Sequence, residues 1–258
     1  MASNTPQLWD KLWTSPVSNA QDIFQLAHEE RTIRWQRLEK IVLREFQSFE
    51  GLRVIEVGAG AGTNAALMAK RGARVTILDY APAALARSQE FFARNGLTAE
   101  MTQHDALALP SEILGQFDIA MSFGLTEHFH GDARIKINRA HFDLARPGGL
   151  VFISVPNRWN PPYRIFKFIA ERTGRWHVGE EYPYSRGELA RICEQAGIRQ
   201  YGFFGDSLWW SFHFIDPFYA ARKILKVKPD YSVARLKNER GTPLDEYIAY
   251  ALVCYGKK

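Results

Sequence analysis

Arg53-Val54-Ile55-Glu56-Val57-Gly58-Ala59-Gly60-Ala61-Gly62 is the stretch on which the reading of this chain turns. A short run of β-branched residues enters a cluster with glycine at every second position. A helical pattern leaves it from about Thr63. Glycine between strand and helix permits a tight turn and a close approach of backbone to a ligand. In an open α/β sheet, ligands bind at the carboxyl ends of the strands. The position therefore suits a nucleotide-like cofactor, although a glycine-rich loop alone is a weak signal. Two details depart from the dinucleotide fingerprint. The spacing is G-x-G-x-G, and the acidic Glu56 stands two residues before the first glycine. A carboxylate there repels a pyrophosphate and tolerates a cationic amino-acid end.

Outward from this loop the chain alternates. Residues 21 to 47 carry one helical pattern. Strands are expected at Ala73–Asp79, Ala99–Gln103, Phe117–Phe123 and Leu150–Val155. Pro82 starts a helix that ends near Asn95-Gly96. Asp132 caps another, and Pro147-Gly148-Gly149 stops it. The strand runs are near-continuously apolar, as in a parallel sheet covered on both faces. Strand–helix alternation at this spacing predicts a doubly wound, Rossmann-like α/β sheet. Beyond residue 184, the capping box Ser185-Arg186-Gly187-Glu188 opens a helix, a strand follows near Gln200–Phe204, and Tyr247–Cys254 makes the last strand. That completes a seven-stranded, mostly parallel sheet with helices on both faces. Residues 1–50 are expected as an N-terminal helical lid, and 51–258 as the main domain. Insertions at 156–184 and 205–243 break its rhythm and form an aromatic-rich cap.

The loop Val54–Gly62 resembles motif I of the class I S-adenosylmethionine-dependent methyltransferases. Three further pieces agree in order. Asp79 ends the second strand, Asp105 follows the third in Gln103-His104-Asp105-Ala106, and Glu127-His128-Phe129 precedes Leu144-Ala145-Arg146-Pro147-Gly148-Gly149. The resemblance spans about residues 50 to 155 and the helix after 185. It implies S-adenosyl-L-methionine as cofactor. It also implies a cofactor-binding set of Glu56, Gly58, Ala59, Gly60, Asp79, Tyr80, Asp105, Ala106 and Phe123. In that set the backbone at Gly58 and Gly60 closes over the amino-acid end. Asp79 accepts both ribose hydroxyls, and Tyr80 packs on the adenine. Asp105 accepts from the adenine amine, with Ala106 offering a backbone contact. Ser122 to Leu125, with Phe123, line the path to the methyl group. Taken singly, Asp79 and Asp105 read equally well as turn aspartates.

Methyl transfer is an in-line displacement, and positioning supplies much of its catalysis. A hydroxyl acceptor also needs a base. His128 is the first candidate. His104 reads as structural, and His177 and Glu181 are further candidates in the first insertion. No metal is expected. The tetrad Asn160-Pro161-Pro162-Tyr163 matches the motif of amino methyltransferases that act on flipped bases, but it follows the fifth strand rather than the fourth. It reads as a proline-led helix start over Tyr163–Arg172.

Composition bounds the partners. The chain has 258 residues, a net charge of +5 and 46% hydrophobic residues, which excludes wholesale disorder and a polybasic coat. Arg222, Lys223, Lys226, Lys228, Arg235, Lys237 and Arg240, set against Asp230 and Glu239, account for the whole net charge. That is no nucleic-acid stripe. It suits an anionic substrate, a membrane surface, or an ordinary solvated segment. Residues 201–219 hold nine of the 34 aromatics, so the cap is a small core, an apolar acceptor pocket, or a membrane-leaning or homodimer-forming surface. Cys193 and Cys254 make no disulfide framework or zinc site. No signal or membrane-spanning run is apparent, and a cytoplasmic location is expected. The expected function is methyl transfer to a small-molecule or lipid- or glycan-linked acceptor, at oxygen by preference. The alternatives are a nicotinamide-dependent oxidoreductase and a catalytically silent scaffold on the same fold.

Overall fold

The computed structural model describes residues 4–217, 225, 227 and 229–258. Phe218 and Tyr219 of the aromatic cap, and Arg222, Lys223, Lys226 and Lys228 of the basic patch, lie outside the described residues. Seven strands form one sheet: β1 Arg53–Val57, β2 Arg74–Asp79, β3 Glu100–Gln103, β4 Phe117–Phe123, β5 Ala145–Pro156, β6 Gln200–Gly205 and β7 Ala251–Lys257. Their order is β3-β2-β1-β4-β5-β7-β6. All pairs are parallel except those made by β7, which runs antiparallel to β5 and β6. The doubly wound Rossmann-like sheet read from the sequence is thus the observed one.

Side chains on successive strand positions enter opposite layers. Val54 joins a core with Trp35, Leu38, Leu67 and Phe91. Ile55 and Val57 join a second core with Phe142, Leu144, Leu189 and Cys193. The first layer is covered by α2 Asn19–Glu29, α3 Ile33–Phe46, α4 Thr63–Lys70 and α5 Pro82–Arg94, and the second by α6 Gly131–Leu144 and α8 Arg186–Gln195. Burial on both faces explains why the strands carry no polar alternation.

Several local expectations change. The single pattern over 21–47 is two helices, because Thr32 interrupts it. Its hydroxyl donates to Glu29 O at 2.8 Å and caps α3 by accepting from Trp35 N at 3.1 Å. Helix α6 starts at Gly131 after His130, leaving Asp132 inside the first turn, where its charge suits the dipole. Pro147-Gly148-Gly149 does not stop that helix. It lies inside β5, where the register against β4 jumps from Phe117–Ala145 to Ile119–Leu150. The last strand is Ala251–Lys257, displaced towards the C-terminus from the expected 247–254. Ser185 caps α8 by accepting from Glu188 N at 3.3 Å, but the Glu188 carboxylate is drawn away to Arg134 at 2.8 Å. Cys193 and Cys254, from α8 and β7, meet in the core at 3.4 Å as free thiols.

The amino-terminal helices are fastened by buried charge. Asp22 of α2 is fully buried and pairs with Arg87 and with Arg94 (2.8 Å), both on α5. On α3, Arg34 reaches Asp206 at 3.1 Å and Arg37 reaches Asp245 at 2.8 Å. Breaking a buried pair leaves an uncompensated charge, at a cost of about 3–5 kcal/mol. Asp22→Ala is therefore expected to lower the stability measured by urea denaturation by about 3–5 kcal/mol. A loss under about 1 kcal/mol would mean that α2 is not held by this pair.

Candidate active site

The β1–α4 turn passes through positive φ at Gly58 (61°), Gly60 (57°) and Gly62 (69°). Side chains rarely adopt this region. It is also crowded. A Cβ on Gly58 would meet the Leu125 side chain at 2.6 Å, and one on Gly60 would enter the Trp13 ring. The turn brings two cavities together at the carboxyl edge of β1, β2 and β4.

The first cavity, about 400 Å³, is lined by Gly58, Ala59, Gly60, Asp79, Tyr80, His104, Asp105, Ala106, Phe123 and His128, and closed by Trp9 and Trp13. Eight of the nine expected cofactor-binding residues meet here. They come from four strand ends far apart in sequence. Glu56 is the exception. Its side chain turns to the other side of the loop, where Oε2 accepts from Ala65 N at 2.9 Å. Asp79 is buried and Oδ1 accepts from Ala81 N at 3.0 Å. Burial raises its carboxyl above the usual range, opposed by the N–H groups of Ala81, Gly60 and Tyr80. Asp105 is exposed, and Oδ1 accepts from Leu107 N at 2.8 Å, so the turn role and the cavity position coexist. Burial, then Asp79, Asp10 and Asp105, push the Tyr80 phenol up to about 12.

The second cavity, about 440 Å³, holds Arg34, Glu56, Asn64, Glu127, Ser154 and Tyr250. It shares Trp13, Ala59, Phe123 and Gly124 with the first, so those four residues form the common wall. Its lining mixes polar and apolar groups in similar measure, whereas the first cavity is mainly apolar. The aromatics of the two insertions cluster among themselves, with Tyr163, Phe166, Phe214 and Trp210 in ring contact. They touch the cavity through Tyr250, which packs on Phe214 at 4.8 Å.

At the end of β4, His128 and Glu127 diverge. His128 faces the first cavity, with its ring edge-on to Trp9 at 4.7 Å. Burial pushes its imidazole down to about 4. At neutral pH the ring is therefore uncharged, and Nδ1 donates to Glu180 O at 2.8 Å. Asn4 fixes this corner by donating to His128 O at 2.7 Å and accepting from Glu180 N at 3.0 Å. Glu127 faces the second cavity, almost wholly buried. Its Oε2 has no hydrogen-bond partner among the described residues. Burial and the nearby Glu181 raise its carboxyl well above the usual range. Glu127, His128 and Glu181 each offer a ligand atom within 4.8 Å of the others, a group with the donor chemistry of a cation site. Glu181 accepts from Tyr163 Oη at 2.7 Å, whereas His177 is exposed on the surface.

The tetrad Asn160–Tyr163 is a helix start. Asn160 Oδ1 accepts from Tyr163 N at 2.8 Å, capping α7 Pro161–Arg172, and Nδ2 donates to Ile248 O at 2.7 Å. Both polar atoms of that amide are thus engaged in holding the helix start. Sequence reasoning missed Arg34, Asn64, Ser154 and Tyr250. They come from α3, α4, β5 and the turn before β7, and no local motif marks them.

Residues 54–149 match the family model described as methyltransferase domain. The ubiquinone biosynthesis O-methyltransferase of Pseudomonas fluorescens strain Pf-5 is 38% identical over 119 residues, 46% of this chain and 50% of that protein. The protein of the same name from Stutzerimonas stutzeri is 33% identical over 146 residues, 57% of this chain and 60% of that one. The chain thus spans about half the length of the curated relatives it matches. Among solved structures, the magnesium protoporphyrin IX methyltransferase of Synechocystis PCC 6803 superposes with a TM-score of 0.55 at 14% identity, covering 98% of this chain and 93% of that one. The 1,6-didemethyltoxoflavin-N1-methyltransferase of Burkholderia thailandensis gives 0.51 at 18%, covering 88% and 78%. At such identities the likeness concerns the fold.

Burial of Glu56 has a measurable consequence. Its folded carboxyl is pushed up to about 8 by burial, above an unfolded value near 4.5. The folded state therefore holds a proton that the unfolded state has lost, and stability falls as pH rises from about 4.5 to about 8. Glu56→Gln is expected to flatten that decline in urea midpoints measured across the window. Parallel slopes for variant and parent would remove Glu56 as its source.

Proposed function

Residues 54–149 match a methyltransferase domain, and from that premise we propose that the chain is a class I, S-adenosylmethionine-dependent enzyme that transfers a methyl group to the oxygen of a small-molecule acceptor, free or linked to a lipid or glycan. The observation that carries this reading is the convergence of the glycine turn, Asp79 and Asp105 on one cavity that shares a wall with a second. S-adenosylmethionine supplies an activated methyl on a sulfonium. The chain's own groups bind, orient and exclude water.

In this reading the first cavity takes the donor. Asp79 accepts from the ribose hydroxyls, Asp105 from the adenine amine, and Tyr80 lies against the base, with the Ala106 backbone beside it. Gly58, Ala59 and Gly60 leave the amino-acid end room against the loop, and Glu56 holds the turn from behind through Ala65 N–H. Helix α1 Pro6–Trp13 and the following helices serve as a lid through Trp9 and Trp13. The acceptor enters through the second cavity and presents its hydroxyl at the junction by Phe123 and Gly124, where His128, from the wall of the first cavity, is the proton acceptor. It is uncharged at neutral pH, and with Nδ1–H committed to Glu180 O, Nε2 carries the free lone pair. The relatives named as O-methyltransferases support oxygen as the target. The match of residues 54–149 to a methyltransferase domain disfavours the oxidoreductase reading.

Two outcomes are expected. Asp79→Ala weakens S-adenosylhomocysteine affinity by about tenfold to a hundredfold in calorimetry, as loss of a charged hydrogen-bonding partner implies; unchanged affinity refutes the ribose role. His128→Asn lowers kcat by about 10²-fold or more while leaving that affinity intact. Because its imidazole is held near 4, the parent's kcat should persist as pH falls and drop only near that value. A drop at the ordinary imidazole pKa, about 6.5, would point to another base. Absence of S-adenosylhomocysteine release with every acceptor in a hydroxylated panel, despite tight donor binding, would favour a silent scaffold.

A further inference from the structure

We propose that the outer face of α7, extended by residues 208–215, docks on an anionic phospholipid surface. Helix α7 carries two apolar faces. One is buried through Tyr163 and Ala170, with the Lys167 stem beside them. The other presents Ile165, Phe168 and Ile169, exposed by 52%, 56% and 54%. Their three- and four-residue spacing puts them in one stripe. The stripe does not end with the helix. Phe166 meets Phe214 at 5.4 Å, which joins α7 to the short turn that displays Phe212 and Ile215, preceded by Trp209. These three are exposed by 46%, 47% and 62%.

Charge selects the occupant. Arg164 and Arg172 on α7, and Arg175 just beyond its end, are exposed and have no carboxylate partner among the described residues. The nearby Glu171 is taken by Lys167 at 2.6 Å. Arg172 lies 4.7 Å from the centre of the Phe168 ring, its stem along apolar surface and its head free to reach outward. Large apolar side chains interleaved with unpaired guanidinium groups fit a bilayer interface carrying anionic headgroups. A second copy of this face would set like charges against each other, so self-association is disfavoured. The sequence adds Arg222, Lys223, Lys226 and Lys228 shortly after the stripe.

The face also has a position that serves the reaction, a point that rests on the function proposed above. Tyr250 lines the second cavity and contacts Tyr163 of α7 at 5.1 Å and Trp210 at 5.3 Å. One layer of rings separates the lipid-facing stripe from the acceptor space. An acceptor dissolved in the membrane would then reach the cavity from a docked enzyme.

The test is co-sedimentation of the full chain with phosphatidylcholine vesicles, with and without phosphatidylglycerol. Binding is expected only with the anionic lipid and is reversed by high salt. Phe168→Glu should weaken it about tenfold or more, and Arg172→Glu severalfold. S-adenosylhomocysteine affinity should remain at the parent value in both variants, which shows that they fold. Equal binding to neutral and anionic vesicles, no binding to either, or a dimer in analytical ultracentrifugation that Phe168→Glu dissociates would each overturn the proposal. Loss of donor affinity in the parent would sink the methyltransferase reading instead and leave the vesicle result standing.

Discussion

Between β1 and α4 the backbone turns three times through a conformation suited to glycine, and everything at the site is arranged around that turn. Without Cβ atoms at Gly58 and Gly60, Leu125 from the end of β4 and Trp13 from the amino-terminal region both press directly onto backbone. The same omission of side chains leaves a cavity on each side of the loop, with Trp13 in the wall between them. A methyl group at either glycine would have to displace one of these neighbours, and the two halves of the site would lose their common boundary.

Dryness is the second organising feature. Glu56, Glu127 and Asp79 are all buried, and burial is the leading reason that each carboxyl is shifted upward. Asp206, at the start of the second insertion, behaves alike, held up to about 6 despite Arg34 beside it. In such surroundings fixed dipoles and charges act with little screening. The proposed displacement at a sulfonium would gain from that environment chiefly through orientation and exclusion of water. The ion pairs from α2 and α3 to α5 and to residues 206 and 245 keep the region closed.

The strands and the turn that lines the first cavity were legible because their signals are local. Apolar runs of strand length, a glycine turn and aspartates at strand ends each lie within a few residues, and the sheet then brings them to one edge. Thr32 was harder to read. Its hydroxyl competes for backbone groups in the middle of a convincing helical pattern, and only the packing of Trp35 on one side and Glu29 on the other decides for a break. The Pro147-Gly148-Gly149 bulge misled for a related reason, since the residues that end helices also bend strands. Glu127 was visible as part of a motif, but its unpartnered oxygen was not.

Sequence alone determined the doubly wound sheet and the place of the glycine turn, since periodicity and turn chemistry are properties of neighbouring residues; that Asp79 and Asp105 belong with the turn was implied by the family resemblance. Tertiary structure alone decided that Arg34, Asn64, Ser154 and Tyr250 share a cavity, that Glu56 faces away from the first pocket, and that the cap aromatics divide between an inner cluster and an outer stripe. Those outcomes depend on which distant segments are brought together and on how much water is excluded when they meet, neither of which is encoded at any single stretch of chain.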